Sequence, residues 1–151
     1  MLIDKLLQAD VKNLSAMPTG EIEIKRLSEK IGEPFKMQLK GIKLKKYRDL
    51  IDFHSEEVEI EEYNEQKKKW QKVKDRRVKD EMSMLFDVII EGTVDPNFRD
   101  TRLQEKFHEP EPPKIVESLF TAGELNDIAA KITELSGIEM NQVQIDAEIK
   151  N

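Results

Sequence analysis

The sequence contains no cysteine, and this absence excludes several kinds of chemistry. Its 151 residues cannot form a disulfide, a zinc knuckle or a cysteine nucleophile. The two histidines, His54 and His108, have no partners at metal-ligand spacing, and we expect each to be a surface or capping residue. Neither a glycine-rich phosphate loop nor a serine in a nucleophile elbow is present. We therefore expect a non-enzymatic protein with no catalytic residue, no cofactor and no metal site.

Long apolar runs are also missing, and this bears on where the protein works. No run approaches the roughly 18 apolar residues of a membrane helix. Asp4 and Lys5 interrupt the apolar stretch near the start, so we expect no secretory signal. The expected location is by default the cytoplasm, with no membrane partner. The net charge of −6 argues against a general nucleic-acid binder.

Aromatic residues are scarce, and this limits the size of the core. One tryptophan, two tyrosines and six phenylalanines, in a chain that is 38% hydrophobic and 37% charged, suffice for one modest core beneath a very polar surface. The chain is therefore expected to form one domain with peripheral arms. We place an N-terminal helical arm at 1–18, the domain at 19–137 and a C-terminal tail at 138–151.

Both arms carry regularly spaced apolar residues. Helical spacing through 1–17 predicts a short amphipathic helix that ends at Pro18. We favour a helix docked on the domain over a detachable partner-binding arm. Alternation in 143–150 predicts an edge strand, or a tail that becomes a strand only on a partner. The candidate partner-binding residues are Leu2, Ile3, Leu6, Leu7, Val143, Ile145 and Ile149.

Two alternating segments surround a turn signal after the N-terminal arm. The first covers 20–27, the Gly-Glu-Pro turn signal lies at 32–34, and the second covers 35–41. This pattern predicts a β-hairpin with one face on the core. Because an isolated hairpin is only marginally stable in water, helices must cover that face.

Helical spacing returns in most of the remaining chain. Thr121 and Glu124 have the spacing of a capping box, in which each side chain bonds to the backbone of the other residue, so their expected role is structural. The expected fold class is α+β: a mostly helical single domain with an N-terminal β-hairpin covered by helices. The predicted helices lie at 43–53, at 80–91, around 103–107, around 115–120 and between Thr121 and Gly137.

A strongly acidic stretch at 55–65 is followed directly by a strongly basic stretch at 66–79. A solvated helix and a mobile connection are both compatible with this pattern, and we leave the choice open. Trp70, within the basic stretch, could stack on bases while the charges follow phosphates. We favour instead a lysine-rich helix surface that Trp70 anchors to the core. The basic stretch could equally bind an acidic protein partner.

Three segments carry a further pattern. They read Ile-Lys-Arg-Leu-Ser-Glu-Lys-Ile-Gly-Glu-Pro-Phe at 24–35, Ile-Ile-Glu-Gly-Thr-Val-Asp-Pro-Asn-Phe-Arg-Asp at 89–100, and Leu-Phe-Thr-Ala-Gly-Glu-Leu at 119–125. The second continues to Phe107, and the third closes at Gly137. In this order and spacing they resemble the XkdN-like tail assembly chaperones of phages and prophages of Gram-positive bacteria.

The resemblance implies a tail assembly chaperone in the cytoplasm of the host bacterium. Such a protein is expected to bind the long tape measure protein, keep it soluble, help to recruit tail tube protein and be absent from the mature virion. A homo-oligomer is compatible with this role. Two alternatives are a minor structural component of the tail and, with less support, a nucleic-acid-binding regulator that acts through Lys67 to Lys79.

Two positions depart from the family pattern. The family usually has proline before glycine and glutamate at the start of the last helix, where this chain has Ala122. Alanine also suits a first helical position, so this difference is structurally mild. A glycine often follows the Lys-Phe pair, where this chain has His108.

Overall fold

We describe residues 1–138 of a computed structural model of the chain. Within this range the fold is α+β, as predicted, and no helix has the length and apolar composition needed to cross a bilayer. The helices are α1 (Leu2–Gln8), α2 (Val11–Ser15), α3 (Lys25–Ile31), α4 (Leu44–His54), α5 (Glu81–Gly92), α6 (Thr101–Phe107), α7 (Pro112–Leu119) and α8 (Ala122–Leu135). The strands are β1 (Thr19–Glu23), β2 (Lys36–Lys40), β3 (Ser55–Asn64), β4 (Lys69–Val78) and β5 (Thr93–Asp95).

Strand β2 is the centre of a three-stranded antiparallel sheet. It pairs with β1 on one side and with β5 on the other. Met37 and Leu39 of β2 are fully buried, while the residues that alternate with them are exposed. This alternation follows from the two-residue period of a strand. Helix α8 packs against both β1 and β2, so the buried residues of β2 belong to one core shared by sheet and helices.

The two N-terminal strands pair with each other, but they are not joined by the predicted hairpin turn. The connection between β1 and β2 contains helix α3. The strand predicted over 20–27 stops early because Ile24 and Leu27, three residues apart, bury the same side of a helical turn. Gly32 ends α3 with a φ of 86°, a left-handed conformation that glycine adopts without strain.

Helices α5, α7 and α8 complete the core. Helix α5 packs against both of the others, and Ile89, Ile115 and Ile132 have no exposed surface. Gly92 is the last helical residue of α5 and is followed by Thr93 at the cap position. A Cβ atom on Gly92 would lie 2.5 Å from the Ile132 side chain, so the close approach of α5 and α8 requires glycine there.

The helices from α4 onward lie where apolar spacing predicts them. Helix α4 starts and ends one residue after the predicted 43–53, and α5 does the same relative to 80–91. Both prolines of the pair at 112–113 lie in the first turn of α7, where a missing N–H leaves no hydrogen bond unmade. After α8, Gly137 has a φ of 79°.

The charged segment at 55–79 is a β-hairpin, so the helix and the mobile connection are both wrong. Strand β3 pairs antiparallel with β4 over ten residues each, from Ser55 opposite Val78 to Asn64 opposite Lys69. The Asn64 side chain accepts hydrogen bonds from two backbone N–H groups of the turn at 65–68. This hairpin is far from the N-terminal position at which the sequence predicts one.

Candidate partner-binding surfaces

One face of the β3–β4 hairpin carries a ladder of opposite charges. Residues directly opposite each other in an antiparallel pair share a face, and opposite charges at such positions stabilise the pairing. Three glutamates of β3 stand opposite three basic residues of β4: Glu57 and Arg76, Glu59 and Lys74, and Glu61 and Lys72. The acidic and basic stretches are thus partners in space. This arrangement weakens the positive potential that a phosphate backbone would require, and therefore disfavours the nucleic-acid-binding alternative.

An aromatic pair ends the ladder near the turn. Tyr63 of β3 stands opposite Trp70 of β4, with their ring centroids 5.6 Å apart and their planes at 62°. Such edge-to-face contacts are favourable for aromatic rings. Trp70 nevertheless remains 67% exposed. It lies on a strand and does not anchor a helix to the core, so that expectation is wrong.

The reverse face of the hairpin is partly apolar. Val58, Ile60 and Val73 are half-buried, and Ile60 stands directly opposite Val73. No residue of either strand is buried, and the two strands form a sheet of their own. Within residues 1–138 the hairpin is therefore a ribbon that projects from the core, and neither of its outer edges is paired with another strand.

The base of this ribbon is attached to the core through His54. Its imidazole lies 2.5 Å from the Asp87 carboxylate of α5, and its carbonyl oxygen accepts a hydrogen bond from the Lys79 N–H at 2.7 Å. His54 is buried, so the expectation of a surface or capping residue is wrong for it. Its spacing of seven from Tyr47 and four from Leu50 on α4 is the signal that could have revealed an inward-facing side chain.

His108, in contrast, does have a capping role. It follows the last residue of α6 in the left-handed conformation, with φ 53° and ψ 39°. Its backbone N–H donates to carbonyl oxygens in the last turn of that helix. Helices commonly end in this way, usually with glycine at this position.

The N-terminal arm is two short helices rather than one. Helix α1 ends before the extended residue Ala9. Asp10 then accepts a hydrogen bond from the Lys12 N–H and caps the start of α2. Neither α1 nor α2 contains a buried residue, so the favoured expectation of a docked helix is wrong. Leu2 and Leu7 are 78% and 77% exposed. The other large apolar side chains exposed on the arm are Met1, Ile3, Leu6, Val11 and Leu14.

The C-terminal candidates cannot be placed in the same way. The described residues end at 138, so they do not include Val143, Ile145 and Ile149 or the strand predicted for 143–150. The assignment of partner contacts to Leu2, Ile3, Leu6 and Leu7 stays a prediction, although these side chains are accessible.

The capping box of α8 is present and is joined to a distant residue. Thr121 Oγ1 accepts from the Glu124 N–H at 3.2 Å, and the Glu124 carboxylate accepts from the Thr121 N–H at 2.9 Å. Arg26 of α3 donates to the same carboxylate. Hydrogen bonds from Arg26 are the main reason that the pKa of Glu124 lies below its ordinary value. This arrangement stabilises the fold, so the role of Thr121 and Glu124 is structural. The candidate partner-binding surfaces are the β3–β4 hairpin and the N-terminal arm.

The sequence can also be compared with known families. The family model described as the phage XkdN-like tail assembly chaperone protein matches residues 3–150, which is almost the whole chain. The chain belongs to this family. The resemblance seen in the segments at 24–35, 89–107 and 119–137 is confirmed, and with it the role of a chaperone in phage tail assembly. Membership implies interaction with tail proteins.

The fold of this family member is similar to that of a solved protein. The crystal structure of the protein YqbN aligns with a TM-score of 0.55 at 17% sequence identity, and the alignment covers 87% of this chain and 98% of that chain. At this identity the likeness shows the fold alone. No curated protein matches the sequence.

Proposed function

We propose that this chaperone binds the tape measure protein in the host cytoplasm, keeps it soluble, helps to recruit tail tube subunits and leaves before the virion is complete. Family membership supports the role in tail assembly. The observation that carries the specific proposal is the accessible apolar surface of the N-terminal arm, in which no residue is buried.

The physical reason lies in the shape of the proposed partner. A very long helical protein with apolar stripes aggregates unless the stripes are covered before the tube encloses it. An amphipathic helix can lay its apolar side chains on such a stripe. The chaperone as a whole is highly charged, with 37% charged residues, and this charge keeps the complex soluble. Tube subunits then displace the chaperone by burying more surface, which needs no nucleotide and no catalytic residue.

We place the contact at Leu2, Ile3, Leu6 and Leu7. Each is more than half exposed, and burying such a side chain yields about 1.5–3 kcal/mol. The C-terminal candidates Val143, Ile145 and Ile149 are proposed as a second contact.

Co-expression with the tape measure protein of the same phage tests the proposal. We expect the chaperone to raise the soluble fraction of the tape measure protein and to co-purify with it. Replacing Leu6 and Leu7 with glutamate should abolish both effects. A matched control replaces Gln8 and Asn13, two exposed polar residues of the arm, with glutamate and should leave both effects intact.

Other outcomes would contradict the proposal. All variants should melt at the parent temperature, because no arm residue is buried. A folded parent that neither solubilises nor binds the tape measure protein overturns the proposal. Stoichiometric retention in purified tails would instead favour a structural component. Serine at positions 143, 145 and 149 tests the second contact separately.

A further inference from the structure

The N-terminal arm and the end of α8 meet at one corner of the domain, beside Gly41. A Cβ atom on Gly41 would lie 2.9 Å from the Met17 side chain and would overlap the Leu135 carbonyl group. The N–H of the next residue, Ile42, donates to Ser136 Oγ at 2.8 Å. The arm therefore joins the domain at the place where the chain leaves α8.

A groove with a volume of about 300 Å³ opens at this corner. Met17 and Ile42 supply its apolar surface. Lysine stems can lie along apolar surface while their ammonium groups stay in water, so the rim of the groove has an excess of positive charge. The charged residues that line it are three lysines and one glutamate: Lys40, Lys43, Lys46 and Glu91.

The carboxylate of Glu91 leaves two of these lysines without a partner among residues 1–138. It accepts a hydrogen bond from Arg99 Nη2 at 2.7 Å and lies 3.7 Å from Lys46 Nζ. Lys40 and Lys43 are exposed, and neither belongs to an ion pair found in this range. A peptide segment with both apolar and acidic side chains is therefore the chemical match for the groove.

The chain itself continues from this corner with such a segment. Helix α8 ends in a Schellman motif, in which the Ile138 N–H donates to the Thr133 carbonyl oxygen at 3.1 Å and Gly137 is left-handed. Thirteen residues follow, at 139–151. From 143 to 149 they alternate apolar with polar residues, and the polar ones include Asp146 and Glu148.

We propose that the segment at 143–149, which we call the tail segment, occupies this groove in the free chaperone. Side chains that alternate along an extended chain point to opposite sides, so the apolar residues can cover Met17 and Ile42 while the two carboxylates stay at the lysine rim. The five residues from 138 to 143 span up to about 18 Å. This reach is sufficient, because Ser136 is already bonded to the groove residue Ile42.

Occupation of the groove would also regulate a partner contact. It covers Val143 and Ile145, which are proposed above as part of a second contact with the tape measure protein. The tape measure protein would then have to draw the tail segment out of the groove. Exposed ion pairs are individually weak, so the segment can be released. Only this consequence rests on the proposed function.

The absence of cysteine allows a test on the full chain with two introduced labels. Asp49→Cys places one nitroxide label on α4 at an exposed position, and Lys150→Cys places the other just after the tail segment. Pulsed electron resonance measures the distribution of distances between the two labels. A docked tail segment gives one narrow peak. An undocked one gives a broad distribution, since residue 150 can lie up to about 43 Å from residue 138.

Charge variants of the labelled chain test the rim contacts. The groove variant carries Lys40→Glu and Lys43→Glu, the tail variant carries Asp146→Lys and Glu148→Lys, and a combined variant carries all four changes. The matched control replaces Lys25 and Lys30 with glutamate. These are exposed lysines of α3, which follows the far end of β1 from the groove. Equal melting temperatures establish that all of them are folded.

We expect the narrow peak in the labelled parent and in the control, and its loss in the groove variant and in the tail variant. The combined variant should recover it, because its exchanged charges again attract each other. Added salt should broaden the peak of the parent, since it screens exposed charges.

Four outcomes would overturn the proposal. They are a broad distribution in the parent, a narrow peak that survives in the groove variant, a combined variant that stays broad, and loss of the peak when labelled chains are diluted with excess unlabelled chains. The last would place the tail segment on another copy. The measurement uses the chaperone alone, so its result is independent of whether the tape measure protein is the partner.

Discussion

Arg26 and Glu124, which are 98 residues apart, form a bidentate ion pair that joins α3 to the start of α8. The Arg26 Nη2–Glu124 Oε1 distance is 2.8 Å, and the Nε–Oε2 distance is 3.1 Å. Arg26 Nη2 also donates to the Leu119 carbonyl oxygen at 2.7 Å. Because the same carboxylate completes the capping box with Thr121, one side chain both starts a helix and holds another helix against it.

The charge of Glu124 makes this contact dependent on pH. Its pKa in the folded chain is lowered, chiefly by hydrogen bonds from Arg26. A carboxyl with a lowered folded pKa stabilises the fold above its unfolded pKa, and this stabilisation is lost as the pH falls through the folded pKa. We expect Glu124→Gln to melt below the parent at pH 7, with a difference that shrinks below about pH 4.3.

Thermal unfolding between pH 3 and pH 7 checks this prediction. Asp127→Asn is the control, because Asp127 is exposed on the same helix and belongs to none of the ion pairs found among residues 1–138. A difference for Glu124→Gln that is as large at pH 3 as at pH 7 would show that the carboxylate charge is not responsible.

The contact between Gly92 and Ile132 predicts opposite effects of alanine at two glycines. A Cβ atom at Gly92 would lie 2.5 Å from the Ile132 side chain, so Gly92→Ala should destabilise the chain by about 1–3 kcal/mol through overpacking. A Cβ atom at Gly123 meets nothing within 4 Å, and Gly123→Ala should stabilise α8 by up to about 1 kcal/mol. Urea unfolding measures both changes, and equal effects at the two positions would contradict the packing of α5 on α8.

The conformation of His108 predicts a stabilising substitution. Its φ of 53° lies in the left-handed region, which costs an L-residue roughly 1–2 kcal/mol and glycine almost nothing. His108→Gly should therefore raise stability by about 1 kcal/mol. His108→Ala keeps the strain and should not. The prediction fails if the two variants unfold at the same urea concentration.

The exposure of Trp70 can be read from its fluorescence, since it is the single tryptophan of the chain. With 67% of its surface exposed, it should emit near the wavelength of tryptophan in water and be quenched by iodide in the folded chain. The emission maximum should change little when guanidinium unfolds the protein. A folded spectrum shifted to short wavelength and protected from iodide would place Trp70 against the core instead.

Several helices could be predicted from the sequence because their signals are local. The spacing of apolar residues located α4 and α5 to within one residue at each end, and Thr121 with Glu124 marked the start of α8. The order of three short segments was enough to recognise the family, since each turn and cap constrains residues a few positions apart. The missing cysteines and phosphate loop were likewise visible without coordinates.

Some features depend on contacts between residues far apart in the sequence, and in some segments the strand and helix patterns are about equally strong. These features could be determined only from the tertiary structure. Ile24 has strand spacing from Ile22 and helical spacing from Leu27, so the two patterns compete until the core beneath them is known. The segment at 55–79 is so rich in charged residues that its few apolar residues, Val58, Ile60 and Val73, were a weak signal for strands. Only the pairing of its two halves across the turn shows that the segment is a hairpin.

The sequence by itself therefore determined the family, the α+β class and most helix positions. Only the structure showed which apolar side chains stay exposed, that His54 contacts Asp87, and that Arg26 forms an ion pair with Glu124. The physical reason is that helix periodicity and capping act within a few residues. The exposure of a side chain, and the contacts between distant parts of the chain, depend instead on which surfaces the whole fold covers.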